Sequence, residues 1–65
     1  MTGSEFVGRT HKFEDGATIY VVQSKRRDDG YWITYETNYG SGLEKRHIIP
    51  VSQFINQFGY LFQNT

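Results

Sequence analysis

The rhythm of apolar and polar positions changes twice along this chain. Up to Ile49, short runs rich in β-branched and aromatic residues alternate with turn signals; after it, apolar residues recur at three- and four-residue intervals. The first pattern predicts strands over 7–13, 17–24, 31–37 and 43–49. They are separated by Glu-Asp-Gly at 14–16, a longer charged connection Lys-Arg-Arg-Asp-Asp-Gly at 25–30, and Asn-Tyr-Gly-Ser-Gly at 38–42. Glycine supplies the positive φ that such turns need. The second pattern places Val51, Phe54, Ile55 and Phe58 on one helical face, behind Pro50 and ahead of Gly59, and predicts a helical turn over 51–58. Residues 60–63, Tyr-Leu-Phe-Gln, return to an extended form and are expected to pair with the first strand, closing a small all-β barrel that leaves no exposed sheet edge.

Charge sets the expected register of the central hairpin. Pairing Asn38 with Leu43 puts Glu36 opposite Lys45, Thr34 opposite His47, Ile33 opposite Ile48 and Trp32 opposite Ile49. A slip that opposes Glu36 to Glu44 costs roughly 0.2–1 kcal/mol in like-charge repulsion. The charge-matched register puts Tyr31, Ile33, Tyr35, Arg46 and Ile48 on one face. Trp32, Thr34, Glu36, Lys45, His47 and Ile49 share the other, more polar face, so the indole is expected at or near the surface.

Size and composition limit what this fold can do. Sixty-five residues make one domain, and a chain this short buries only about 60% of the surface its unfolded form exposes. No cysteine is present, which removes disulfide and thiolate-metal staples, and the two histidines, His11 and His47, are too few for a closed zinc site without carboxylate help. Five Phe, five Tyr and one Trp must therefore carry the core. Seven basic residues balance seven acidic ones, so no overall field draws the chain to nucleic acid or anionic lipid. No apolar run approaches a membrane span, and the composition suits the cytoplasm. The opening Met-Thr-Gly-Ser-Glu-Phe, residues 1–6, reads as a disordered start or a cloning remnant and is left out of the expected domain, 7–65.

Short strands, a helical turn before the last one and this length resemble the SH3-like small barrel, which implies a five-stranded fold. Residues 45–55, Lys-Arg-His-Ile-Ile-Pro-Val-Ser-Gln-Phe-Ile, are also similar to the last strand of the plasmid-type trimethoprim-resistant dihydrofolate reductases. Ile48, Pro50 and Val51 match that family's run, whereas its active-site Gln and Tyr fall on His47 and Ile49. The likeness implies the barrel, and a pore-forming tetramer for the enzyme, but carries over no catalytic residue. Pro50, Gln53, Phe54 and Phe58 fit a looser ending that resembles small uncharacterised proteins of phages, prophages and other mobile DNA.

No residue set amounts to a catalytic signature. Ser24, Ser41 and Ser52 lack a His and an acid in a recognisable arrangement, and the paired acids lie in turns where solvent holds them ionised. No cofactor or metal is expected. The reading is thus a non-enzymatic interaction module that binds a partner protein through an aromatic face of Trp32, Tyr39, Lys45 and His47. The alternative is nucleic-acid contact by Arg26, Arg27 and Arg46 beside Trp32, with Asp28 and Asp29 opposing it. An aromatic cage of Tyr31, Trp32, Tyr35 and Tyr39 is disfavoured because Tyr31 and Tyr35 point away from Trp32. The stripe Phe54, Phe58, Phe62 reads as core.

Overall fold

A computed structural model describes residues 2–40, 42 and 44–62. A 3-10 turn (Ser4–Phe6) leads into strands β1 (Thr10–Lys12), β2 (Thr18–Arg27), β3 (Gly30–Asn38) and β4 (Glu44–Pro50). Helix α1 (Val51–Phe58) and a second 3-10 turn (Gly59–Leu61) follow. The strands form one antiparallel meander in the order β1-β2-β3-β4, and the helical segments pack on one face of it. The described residues form a small, mostly β domain with one short α-helix.

The core lies between that face and the helical layer. Ile19, Val21, Ile33 and Tyr35 from the sheet meet Val51 and Phe54 from α1, with Phe6 from the first 3-10 turn and Phe62 just after the second. Phe54 is fully buried and has four aromatic neighbours, Phe6, Tyr35, Phe58 and Phe62, at centroid distances of 5.4, 5.6, 5.4 and 5.9 Å. The apolar spacing that predicted the helix therefore marks the side it buries, and the Phe54-Phe58-Phe62 stripe is core.

The expected closure of a five-stranded barrel is corrected: the described sheet has four strands and is open. Tyr60 and Leu61 lie in the second 3-10 turn and Phe62 in a bend, while Gln63 is outside the described residues. A strand would send Leu61 and Phe62 to opposite sides. The tighter turn brings both against the core. The Arg9 guanidinium donates to the Phe62 carbonyl at 3.0 Å and ties this end of the chain to the start of β1.

The first strand is shorter than 7–13 because the chain kinks at Gly8, which sits at φ 86°. Its N–H donates to Val21 O at 2.9 Å, so contact with β2 survives ahead of the regular ladder. Phe6, set aside on sequence grounds, is 9% exposed and packs at 6.0 Å from Phe62. Gly3 lies so close to the core that a Cβ there would meet Ile33 Cδ1 and Val51 Cγ2 at 2.9 Å.

β2 continues through Arg27 into a two-residue turn, Asp28-Asp29, rather than ending at Ser24 as expected. A bulge between Val21 and Gln23 shifts its register against β3. Such an extra residue adds local bend and twist.

The register of the β3–β4 hairpin is also corrected. Asn38 pairs with Glu44 rather than Leu43, so the loop is one residue longer; Leu43 itself lies outside the described residues. Asn38 Oδ1 accepts the Gly40 N–H at 2.8 Å, and Gly40 and Gly42 both take positive φ, which the wider turn requires. Glu36 now faces Arg46, and their charged groups meet at 2.8 Å. Thr37 faces Lys45, Tyr35 faces His47, Thr34 faces Ile48, Ile33 faces Ile49 and Trp32 faces Pro50. The β3 faces stand as expected, whereas every β4 side chain is exchanged between faces.

Candidate functional site

Because directly opposed residues share a face, the corrected register divides the proposed surface in two. Trp32 lies on the outer face, away from the helical layer. His47 and Lys45 lie on the same side as Tyr35, with Tyr39 in the following loop.

The outer face is built in rows across the sheet. Thr10, Tyr20, Glu36 and Arg46 form one; Gln23, Thr34 and Ile48 the next; Lys25, Trp32 and Pro50 the third. Tyr20 and Ile48 are large apolar side chains left 42% and 47% exposed. Trp32 is half-buried, and its orientation is fixed from two directions. Its indole N–H donates to Asp29 Oδ1 at 2.8 Å, and the Arg27 guanidinium sits 5.1 Å from the ring centroid. A cation over an indole contributes about 0.5–1 kcal/mol at an exposed site. The two-residue turn makes this possible, since it brings Arg27 and Asp29 back over the start of β3.

Of the residues proposed for nucleic acid, Arg27 alone touches Trp32. Arg46 shares the outer face but is engaged by Glu36. Arg26 is opposite Tyr31 and so belongs to the other face. Lys25, part of the charged 25–30 connection noted in the sequence, lies directly across from Trp32 and is the second basic group beside the indole.

On the helical side, a cavity of about 380 Å³ opens where the 13–17 turn, the hairpin loop and the end of α1 converge. Phe13, Asp15, Ala17, Thr18, Tyr35 and Thr37 line it, together with Tyr39, His47 and Phe58. His47 stacks on Tyr35 at 4.9 Å with 19° between the planes, and Phe58 meets Tyr35 edge-on at 5.3 Å. Asp15 Oδ1 accepts the Ala17 N–H at 3.0 Å, which fixes the carboxylate in its turn. Burial, and then the neighbouring Tyr39, hold the Tyr35 phenol above its ordinary pKa of 10.0. The structure thus joins Tyr39 and His47, separates both from Trp32, and adds Phe13, Asp15, Tyr35 and Phe58. Of those four, the sequence marked Tyr35, as a core residue and as a member of the disfavoured cage with Tyr31, Trp32 and Tyr39, and Phe58, as a core residue.

A second cavity of about 300 Å³ lies beside the start of α1, between Asp29, Tyr31 and Ile55. Among the described residues, no group of three or more His, Cys, Asp or Glu side chains could hold a metal ion, and no helix is long and apolar enough to cross a membrane. Ser41, part of the Gly-Ser-Gly turn, is outside the described residues. Comparison with family models, curated proteins and solved structures finds no match for this chain.

Proposed function

We propose that this chain is a non-enzymatic interaction module that binds a partner protein through the outer face of its sheet, centred on Trp32. One observation carries the reading: the helical segments cover a single face, while the other presents Tyr20, Trp32 and Ile48 in adjacent rows. Protein interfaces place a few large rings at their centre, with polar groups around them. Trp32 enters binding already oriented by Asp29 and Arg27, so little side-chain freedom is lost on association. Trp32→Ala and Ile48→Asp should each abolish capture of the partner, while Tyr60→Ala, at an exposed ring beyond α1, leaves it unchanged. Undiminished capture by both outer-face variants would show that the surface is misassigned.

A nucleic-acid reading is favoured by one feature, the placement of Lys25 and Arg27 about the indole. Two phosphate contacts predict a salt slope of about −1.4 for a single strand, measurable by titration in rising salt. Asp29, bound to the indole N–H, and Glu36, bound to Arg46, weigh against it by placing negative charge on the same face.

The wider proposal is an SH3-like module of phage or mobile-element origin acting in the cytoplasm. The antiparallel meander followed by a helical turn supports the first part, the Pro50, Gln53, Phe54, Phe58 ending the second, and the cysteine-free composition the third. Genomic neighbourhood tests the origin: phage genes on either side support it, and a stable chromosomal setting removes it.

A further inference from the structure

We propose that the cavity bounded by Phe13, Tyr35, Tyr39, His47 and Phe58, with Asp15 in its wall, binds a small organic ammonium group: a methylated or quaternary amine carried on a short tail. This site is independent of the Trp32 face and lies on the other side of the sheet.

Shape is the first argument. Five of the nine lining residues carry aromatic rings; His47 is stacked on Tyr35 and Phe58 is set edge-on to Tyr35, while Phe13 is held from outside the cavity by His11 at 4.9 Å. The walls are therefore in place before a ligand arrives. A volume near 380 Å³ falls within the range of small-ligand sites, roughly 300–1,000 Å³. It exceeds what a bare ammonium fills, which is why the ligand needs a tail.

Charge selects among ligands that would fit. Among the described residues, Asp15 is the one acidic side chain in the lining, and no Lys or Arg contributes to it. Aromatic faces carry negative potential and attract cations. An anion would meet the Asp15 carboxylate and the ring electrons, and the ionisation of the Tyr35 phenol is itself opposed, by burial and then by Tyr39. Among cations, a methylated ammonium is the better fit. Its methyl groups spread the charge over apolar surface and reduce the cost of leaving water, which is severe for a compact ion.

The test is a titration of the full ¹⁵N-labelled chain with choline and, in parallel, with dimethylbutanol, the uncharged isostere in which carbon replaces the nitrogen. Choline should shift the amides of Ala17, Thr37, His47 and Phe58 and bind at least about tenfold more tightly than the isostere. Tyr39→Ala alters a ring that is 56% exposed and should leave the fold intact while weakening choline roughly two- to fivefold; Tyr39→Phe keeps the ring and should restore binding. Asp15→Asn retains the oxygen that accepts the Ala17 N–H, removes the charge, and should weaken choline by a similar factor. A peptide bearing trimethyllysine completes the series. Tighter binding than choline assigns the ammonium to a modified protein, and weaker binding assigns it to a free small molecule. Equal binding of choline and its isostere, shifts confined to other residues, or parent-like affinity in both Tyr39→Ala and Asp15→Asn would overturn the proposal.

Discussion

Phe6→Ala probes whether the opening segment is part of the folded body. The ring is 9% exposed and lies against Phe54 at 5.4 Å and Phe62 at 6.0 Å, so its removal leaves a void beside the most buried residue of α1. Truncations of buried Phe cost about 3–5 kcal/mol. Phe6 ends a three-residue 3-10 turn outside the sheet, which can partly collapse around the void, and this favours the lower figure of about 3 kcal/mol. At about 0.05–0.15 kcal/mol per residue, a 65-residue domain has roughly 3–10 kcal/mol of stability in all. The variant should therefore lose a third or more of it. For a domain of this size each kcal/mol moves Tm by about 4–8 °C, so the expected fall is about 12–24 °C. Circular dichroism melting reads the fall directly, and urea unfolding followed by the single indole, Trp32, checks it. A loss below about 4 °C, equivalent to less than about 1 kcal/mol, would refute the packing of this segment on the sheet.

Two further predictions test the sheet and the cavity. Cysteines at 36 and 46 should oxidise readily to a disulfide, since Glu36 and Arg46 are directly opposed, whereas cysteines at 36 and 45 should not; mass spectrometry of the oxidised pairs decides, and preferential 36–45 bonding would restore the shorter loop. The raised pKa of Tyr35 means that the folded state holds its phenolic proton more tightly than the unfolded chain does. Its contribution is thus complete below the unfolded value near 10.0 and is lost as pH rises through the folded value. Melting temperature should fall above about pH 10 more steeply in the parent than in Tyr35→Phe. Parallel curves would show that the phenol is not desolvated by the fold.

Elements whose pattern is local were legible in the sequence. Val51, Phe54, Ile55 and Phe58 share a helical face whatever the rest of the chain does, and α1 spans the expected 51–58. Gly16 closes the tight turn expected at 14–16, where it sits at φ 92°. Alternation in β3 put Ile33 and Tyr35 on the core face, where they are buried, and Trp32 on the other, where it is half-buried; Thr34, expected on that polar face, is buried as well. Closure of the sheet was not legible, since Tyr60, Leu61 and Phe62 suit an extended strand as well as a turn. The decision comes from the space that Phe6 and Phe54 leave for Phe62. Nor was the extent of β2, because Lys25, Arg26 and Arg27 look like loop residues until the two-residue Asp28-Asp29 turn is known.

The register of β4 was ambiguous for a specific reason. Lys45-Arg46-His47-Ile48-Ile49 places basic and aliphatic residues next to one another, so either alternation gives Glu36 a cationic partner and the core an isoleucine. Charge excludes the pairing with Glu44 but cannot choose between Lys45 and Arg46; an exposed pair such as Glu36–Arg46 contributes only about 0–1 kcal/mol. What separates the two registers lies on the helical side, where the observed one stacks His47 on Tyr35 and sets Ile49 against the core. That choice turns one composite surface into two. Ile48 joins Trp32 outside, while His47 and Tyr39 converge on the cavity. Loss of the indole should consequently leave choline binding intact, and Tyr39→Ala should leave partner capture intact. A single variant that removed both would mean that the β4 side chains are not divided between the faces in this way.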